Sequence, residues 1–175
     1  MLAVVLSVAL ALLPHHASKQ ASQQHASNFP TRGVLIAGKS LAGVRIGMSE
    51  AQVQGVWGRR YRVCDKAICQ KWQTWLYQYN TGEGLGAAVV FENHKVTSVF
   101  TLGSPDGWRT DKGLKMGDVI SQVYDYYNTT SSTKCLGYNA LSMKDPATKI
   151  TTSFYASSGY VYGFALTAPS QPICQ

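Results

Sequence analysis

Residues 43–53 read Gly-Val-Arg-Ile-Gly-Met-Ser-Glu-Ala-Gln-Val, and residues 113–123 read Gly-Leu-Lys-Met-Gly-Asp-Val-Ile-Ser-Gln-Val. The two segments align without a gap, with glycine at the first and fifth positions, a basic residue at the third and Gln-Val at the end. A repeat at a fixed offset indicates that one structural unit has been duplicated. The sequence therefore predicts two units, residues 33–103 and residues 104–175.

Each copy predicts a short helix directly after its second glycine. Ser49 and Gln52 have the spacing of a capping box, and Gly58 is suited to the end of the helix. In the second copy Asp118 is the expected N-cap, and apolar residues recur after it at helical spacing. Both apolar stripes are expected to pack into a core.

Three strand-like segments follow each helix. They are residues 75–79, 87–91 and 96–102 in the first unit and residues 138–143, 150–155 and 160–166 in the second. In the first segment, alternation places Trp75, Tyr77 and Tyr79 on one face. The fold class expected is α+β: two tandem units, each a helix plus an antiparallel sheet, which form one curved sheet with the helices on one side.

The N-terminus indicates export. Met1 to Leu13 is an apolar run that is shorter than the roughly 20 residues needed to cross a bilayer, and small residues follow it. We expect a signal peptide at residues 1–22, a disordered leader at residues 23–32 and no transmembrane anchor; a buried N-terminal helix is the alternative. The mature protein is then extracellular or periplasmic.

The composition favours a compact, strand-rich domain. Apolar residues make up 45% of the 175 residues and charged residues 14%, which excludes a disordered chain, collagen and a coiled coil. The formal net charge of +7 predicts attraction to acidic proteins or to anionic envelope polymers. Nucleic acid is not an expected partner, because no recognised nucleic-acid-binding motif accompanies the charge.

The four cysteines allow three disulfide connectivities. Cys64 and Cys69 flank a short local loop, which leaves Cys135 and Cys174 to pair with each other. A zinc site is the alternative, but neither spacing has the usual C-x-x-C form. Disulfides are favoured, because an exported chain meets an oxidising compartment.

Residues 43–58 combine turn glycines, Met-Ser and an apolar stripe that ends at Gly58, and three strand-like segments follow. This pattern resembles the unit of beta-lactamase-inhibitory-protein-like domains, and it is similar to the SmpA/OmlA-type outer-membrane assembly lipoproteins. The tandem duplication and one disulfide per unit favour the first family. The resemblance extends from about Gly33 to the C-terminus and implies a concave sheet that clasps another protein. It transfers no individual contact residue to this chain.

No catalytic, cofactor-binding or metal-binding motif is recognised. The sequence lacks a G-x-S-x-G elbow, an H-E-x-x-H pair and an EF-hand loop. His94 is the one histidine in the part expected to fold, and Asn93-His94 predicts a hairpin turn. We expect no enzyme activity, no cofactor and no metal. The alternative is a hydrolase that uses His94 or a carboxylate pair brought together by folding.

Two sets of residues are candidate contact sites. A basic patch surrounds the first cysteine loop and comprises Arg59, Arg60, Arg62, Lys66 and Lys71. The candidate interface aromatics are Trp72, Trp75, Tyr77, Tyr79, Trp108, Tyr155, Tyr160 and Tyr162. Tyr and Trp are favoured both in protein interfaces and in cores, and a basic patch also serves as a solvated surface.

Together these observations predict a secreted, non-catalytic domain that binds another macromolecule, above all a protein, across its sheet. Inhibition of an enzyme is implied by the resemblance alone. The alternative function is a structural or assembly module of the cell envelope that binds anionic polymers.

Overall fold

The structure is a computed structural model that describes residues 29–65, 69 and 71–175. The predicted signal peptide, most of the leader and Lys66 lie outside the described residues. The described chain contains two helices, α1 (Glu50–Trp57) and α2 (Ser121–Tyr126). Its strands are β1 (Val34–Ile36), β2 (Ser40–Leu41), β3 (Arg62–Val63), β4 (Gln73–Asn80), β5 (Leu85–Glu92), β6 (Lys95–Leu102), β7 (Arg109–Thr110), β8 (Ser131–Lys134), β9 (Asn139–Lys144), β10 (Thr151–Ser157) and β11 (Tyr160–Thr167).

Eight strands form one antiparallel sheet in the order β3-β4-β5-β6-β11-β10-β9-β8. The short strands form a second sheet in the order β2-β1-β7, in which β1 and β7 are parallel. Both sheets join the N-terminal half of the chain to the C-terminal half, because β6 pairs with β11 and β1 pairs with β7.

The expected α+β class, with two helix-plus-sheet units, is wrong. The fold is mostly β, and α1 and α2 have only eight and six residues, which is too little to form a helical layer. Two separate units are not seen, because each sheet draws strands from both halves of the chain. The sequence repeat could not reveal this, since β1 and β7 are too short to produce an alternating pattern.

The first helix begins and ends as predicted, whereas the second does not begin at its predicted cap. The Ser49 hydroxyl accepts a hydrogen bond from the Gln52 backbone N–H, and Gln52 Oε1 accepts one from the Ser49 backbone N–H at 2.9 Å. Gly58, with φ of +80°, ends α1. No side chain caps α2; the Asp118 carboxylate instead accepts from the Lys115 backbone N–H at 2.9 Å.

The two repeated glycine turns are attached to the large sheet in the same way. Each exchanges two backbone hydrogen bonds with a strand that follows it in the chain. These bonds are Gly47 N–H to Val96 O (2.8 Å), Val96 N–H to Met48 O (2.9 Å), Gly117 N–H to Val161 O (2.8 Å) and Val161 N–H to Asp118 O (2.8 Å). Gly47 and Gly117 both have φ of +85°, a conformation that favours glycine. The repeated sequence therefore corresponds to a repeated turn geometry.

The eight-stranded sheet has two unlike faces. One faces α1, α2 and the small sheet, and we call it the helix face. The other is crossed by the C-terminal segment, residues 168–175, and we call it the tail face. The largest side chains in the core on the helix face are Trp57, Trp75, Tyr77, Phe91, Trp108, Phe154 and Phe164.

The core begins inside the range assigned to the leader. Phe29 is 9% exposed, and its ring stacks on Tyr77 with centroids 5.4 Å apart and meets the edge of Trp57 at 5.3 Å. The Trp108 indole N–H donates to the Pro30 carbonyl at 3.1 Å. Phe29 and Pro30 are therefore part of the packed structure in front of β1.

Candidate functional site

The C-terminal segment lies across the tail face and is attached to it by tyrosine hydroxyls. Tyr155 Oη donates to the Ile173 carbonyl at 2.7 Å, and Tyr138 Oη donates to the Gln175 carbonyl at 2.7 Å. The Ser98 hydroxyl reaches the Gln175 side chain at 3.3 Å. Burial raises the pKa of the Tyr155 hydroxyl well above its usual range, and Tyr138 adds to that shift.

Both predicted disulfides are present. Cys64 is bonded to Cys69 and Cys135 to Cys174, and no free cysteine is found among the described residues. The second disulfide fixes the C-terminal segment to the loop between β8 and β9. Two disulfides are compatible with an extracellular or periplasmic location.

Four of the eight candidate interface aromatics are buried. Trp75, Tyr77 and Trp108 are at most 2% exposed and belong to the core on the helix face. Tyr155 is fully buried on the tail face, beneath the C-terminal segment. These four side chains are core residues and offer no free surface to a partner.

The other four candidates are accessible. Trp72, Tyr79 and Tyr162 are half-buried and contact the apolar cluster of the tail face. Tyr160 is 52% exposed at the start of β11, where it forms a bridge with Val119. The structure thus brings three of the predicted interface residues to one face and leaves the fourth outside that group.

A bulge in β4 moves Tyr79 to the tail face. The pairing of β4 with β5 shifts between Tyr77 and Asn80, and Gln78 has φ of +47°. A bulge of this kind interrupts the alternation of side chains along a strand. The prediction that Trp75, Tyr77 and Tyr79 share one face is therefore wrong for Tyr79.

Three half-buried tyrosines, Tyr79, Tyr138 and Tyr162, form what we call the tyrosine cluster. The rings of Tyr138 and Tyr162 are 6.3 Å apart, and Tyr138 lies 5.0 Å from the buried Tyr155. Burial, followed by the neighbouring Tyr138 and Tyr162, raises the pKa of the Tyr79 hydroxyl. The sequence analysis missed Tyr138 as a surface residue. Tyr138 comes three residues after Cys135, the cysteine bonded to Cys174 in the C-terminal segment, and this position is the signal that could have identified it.

Three depressions adjoin the tail face, and each is lined by basic residues. Arg60 and Arg62 line a shallow one beside Tyr79, Lys71 lines a deeper one, and Lys134 lines a third near the end of β8. Among the described residues that line them there is no Asp or Glu. Within the described part of the chain, none of these four basic side chains forms an ion pair.

The deeper depression, which we call the tail pocket, lies between the described residues Cys69, Lys71 and Trp72 and the C-terminal segment. Its volume is about 360 Å³. Its described lining residues are Cys69, Lys71, Trp72, Thr74, Val90, Phe100, Gln171, Pro172, Cys174 and Gln175. Lys71 Nζ lies 4.9 Å from the centre of the Trp72 ring.

A buried polar group in the wall of the tail pocket has no partner. Gln171 is 8% exposed, and its side-chain nitrogen Nε2 makes no hydrogen bond to any described residue. A buried donor without an acceptor costs about 1–3 kcal/mol. The pocket therefore contains one cation and one unused donor over an apolar floor of Val90 and Phe100.

The predicted basic patch is divided by the fold. Arg59 and Arg60 are exposed, and Arg62 donates to the Tyr79 carbonyl at 2.9 Å. Lys71 belongs to the tail pocket, and Lys66 lies outside the described residues. The patch thus contributes to two depressions on the tail face.

His94 lies in the turn between β5 and β6, as predicted. Its side chain is 85% exposed, and Nδ1 is 2.9 Å from a Glu50 carboxylate oxygen. Across residues 29–65, 69 and 71–175, no group of three His, Cys, Asp or Glu side chains is arranged to hold a metal ion. None of the helices in that part of the chain is long and apolar enough to span a membrane.

Comparison with protein-family models, with curated proteins and with solved structures finds no match for this chain. The resemblance to beta-lactamase-inhibitory-protein-like domains therefore stays a prediction.

Proposed function

We propose that this protein is a secreted, non-catalytic domain that binds another protein through the tail face of its large sheet. The observation that carries the proposal is the tyrosine cluster, three half-buried aromatic side chains beside Trp72 on the face that the C-terminal segment crosses. Tyr and Trp present a large apolar surface together with a polar group, and they are the residues that contribute most to protein interfaces.

The charge around this face indicates the chemistry of the partner. The adjoining depressions carry Arg60, Arg62, Lys71 and Lys134 without an ion pair in the described chain. Basic side chains around an aromatic centre attract an acidic surface and accelerate its association. We therefore expect an acidic protein partner.

The test is affinity capture by the immobilised mature chain, beginning near Gln23. Secreted and envelope fractions of the source organism are applied. The salt concentration of the washes is then raised to about 0.5 M, at which the electrostatic screening length falls to contact distances. We expect one protein to remain bound. The variant Tyr79→Ala/Tyr162→Ala is expected to lose at least about tenfold in affinity for that protein, as the loss of two interface aromatics predicts.

The matched control is Tyr124→Ala/Tyr160→Ala, which removes two tyrosines that are 58% and 52% exposed and lie outside the tyrosine cluster. It is expected to bind like the unchanged chain. Equal capture by both double variants would refute the use of the tail face, provided that both retain the thermal unfolding midpoint of the parent.

Enzyme inhibition is the specific form of binding that the family resemblance implies. It is tested by measuring hydrolysis by a beta-lactamase with and without the protein. A loss of hydrolysis that Tyr79→Ala/Tyr162→Ala reverses supports inhibition; unchanged hydrolysis limits the proposal to binding of a different protein.

The second candidate function is attachment to anionic envelope polymers, which the three basic depressions favour. It predicts binding to dextran sulfate that is released by about 0.5 M salt. Arg60→Gln/Arg62→Gln is expected to weaken this binding, while Tyr79→Ala/Tyr162→Ala leaves it unchanged. Retention of the polymer at high salt would contradict this candidate.

A further inference from the structure

The tail pocket has the size and lining of a site for a small molecule. Its volume of about 360 Å³ lies within the range of ligand pockets, roughly 300–1,000 Å³. Val90 and Phe100 form apolar walls from the sheet, and Trp72 adds an aromatic one. Ligand pockets are typically apolar, with a few polar groups that orient the ligand.

Two donors among the residues that line the tail pocket, Lys71 and Gln171, have no acceptor within the described chain. The Lys71 ammonium group is held over the Trp72 ring at 4.9 Å and has no carboxylate partner in the described chain. Gln171 is more than nine-tenths buried, and its Nε2 has no hydrogen-bond partner. A ligand that supplies an anionic oxygen would pair with Lys71 directly, and with Gln171 once its buried amide turns toward the pocket, through charge-assisted hydrogen bonds.

We propose that the tail pocket binds a small apolar molecule that carries a carboxylate. The apolar body of the ligand contacts Trp72, Val90 and Phe100, and its carboxylate accepts hydrogen bonds from Lys71 and Gln171. The described lining residues include no Asp or Glu. This site is independent of the proposed protein partner, because it needs no surface beyond the pocket.

The probe is 3-phenylpropanoate, titrated into the purified chain with both disulfides formed. Binding is followed by NMR through the indole N–H signals of the four tryptophans. Trp57, Trp75 and Trp108 are at most 2% exposed, so Trp72 is the tryptophan that a ligand in the pocket contacts. We expect a saturable shift of the Trp72 signal with a Kd below about 10 mM, as the size of the probe predicts.

Three comparisons test the chemistry of the site. The neutral analogue 3-phenylpropanamide is expected to bind at least about fivefold more weakly, because it lacks the charge. Lys71→Met, which keeps an apolar stem of similar length, is expected to lower the affinity for 3-phenylpropanoate by a similar factor. Gln171→Met, which removes the unused donor, is expected to lower the affinity for 3-phenylpropanoate about threefold.

The matched control is Lys112→Met. Lys112 also places its ammonium group over an aromatic ring, at 4.6 Å from the centre of Tyr127, but it does not line the tail pocket. It is expected to bind 3-phenylpropanoate as the unchanged chain does.

Three results would overturn the proposal: no shift of Trp72 at about 20 mM probe, equal affinities for the acid and the amide, or unchanged binding by a folded Lys71→Met. None of these results affects the capture of a protein by the tyrosine cluster, so the two proposals fail separately.

Discussion

The two faces of the large sheet are built from different kinds of side chain. On the helix face Trp57 is fully buried, and its ring lies 5.1–5.4 Å from those of Phe29, Tyr77 and Trp108. On the tail face alanines on several strands, among them Ala88, Ala140 and Ala165, alternate with larger side chains, and the eight-residue C-terminal segment crosses them. Phe100 and Tyr155 are buried there, whereas Trp72, Tyr79, Tyr138 and Tyr162 remain half-buried.

Under the proposed function, this difference assigns stability and recognition to opposite faces of one sheet. A face covered by helices, the small sheet and interlocking aromatic rings supplies most of the buried apolar area. The opposite face then tolerates accessible aromatic and basic residues, because the fold does not depend on their burial. The predictions below measure this division, first on the helix face and then on the tail face.

The largest effect is expected for Trp57→Ala. The substitution removes a fully buried ring and the hydrogen bond from its Nε1 to the Ala42 carbonyl at 2.9 Å. We expect the free energy of unfolding in urea to fall by about 4–5 kcal/mol. Trp72→Ala, on the tail face, is the matched control and is expected to cost less than about 1.5 kcal/mol, because this ring is half-buried. Equal losses would contradict the division between the faces.

The next effect concerns the tether of the C-terminal segment. Cys135 and Cys174 are 39 residues apart, whereas Cys64 and Cys69 are 5 apart. The loop-entropy model gives about 4 kcal/mol for the first bond and about 2 kcal/mol for the second. We expect Cys135→Ser/Cys174→Ser to lower the free energy of unfolding more than Cys64→Ser/Cys69→Ser.

Hydrogen exchange extends this comparison to the tail face. Without the second disulfide, the backbone N–H of Gln175, which donates to Tyr138 Oη at 2.9 Å, is expected to lose protection. In Cys64→Ser/Cys69→Ser the same N–H is expected to stay protected. Protection of Gln175 in both variants would show that the tyrosine hydroxyls hold the segment without the disulfide.

The sequence predicted the features that depend on neighbouring residues. The Ser49–Gln52 capping box, the turn at Asn93-His94 and both disulfides are local or follow from cysteine spacing, and the structure contains all of them. Each is encoded within a few residues or by pairing of the remaining cysteines.

The sequence did not predict what distant segments do together. The pairing of β1 with β7 joins strands more than seventy residues apart, and neither is long enough to show a pattern. Tyr79 lies on the tail face because of the bulge at Gln78. That bulge could not be predicted, since the residue with positive φ is a glutamine and not a glycine. Gln171 lines a pocket only because the C-terminal segment lies over the sheet, which the sequence does not show. The sequence therefore identified only part of the candidate site, namely Trp72, Tyr79, Tyr162 and part of the basic patch.

The smallest effect is a loss of stability at alkaline pH. Burial raises the pKa of the Tyr127 hydroxyl on the helix face to about 12, and it raises the pKa of Tyr155 on the tail face well above its usual range. In the unfolded chain both hydroxyls lose their proton near pH 10. Above that pH the folded state therefore holds more protons than the unfolded state, so the free energy of unfolding falls as the pH rises.

Each such tyrosine contributes a slope of at most about 1.4 kcal/mol per pH unit. Urea unfolding of Tyr155→Phe and Tyr127→Phe, measured from pH 9 to pH 12, is expected to show a shallower decline than that of the parent chain. Cys135→Ser/Cys174→Ser distinguishes the contribution of the tail face to this slope from that of the helix face. Because the C-terminal segment buries Tyr155, loosening it is expected to remove the Tyr155 contribution and leave that of Tyr127. If the disulfide variant keeps the full alkaline slope, the sheet itself and not the C-terminal segment buries Tyr155.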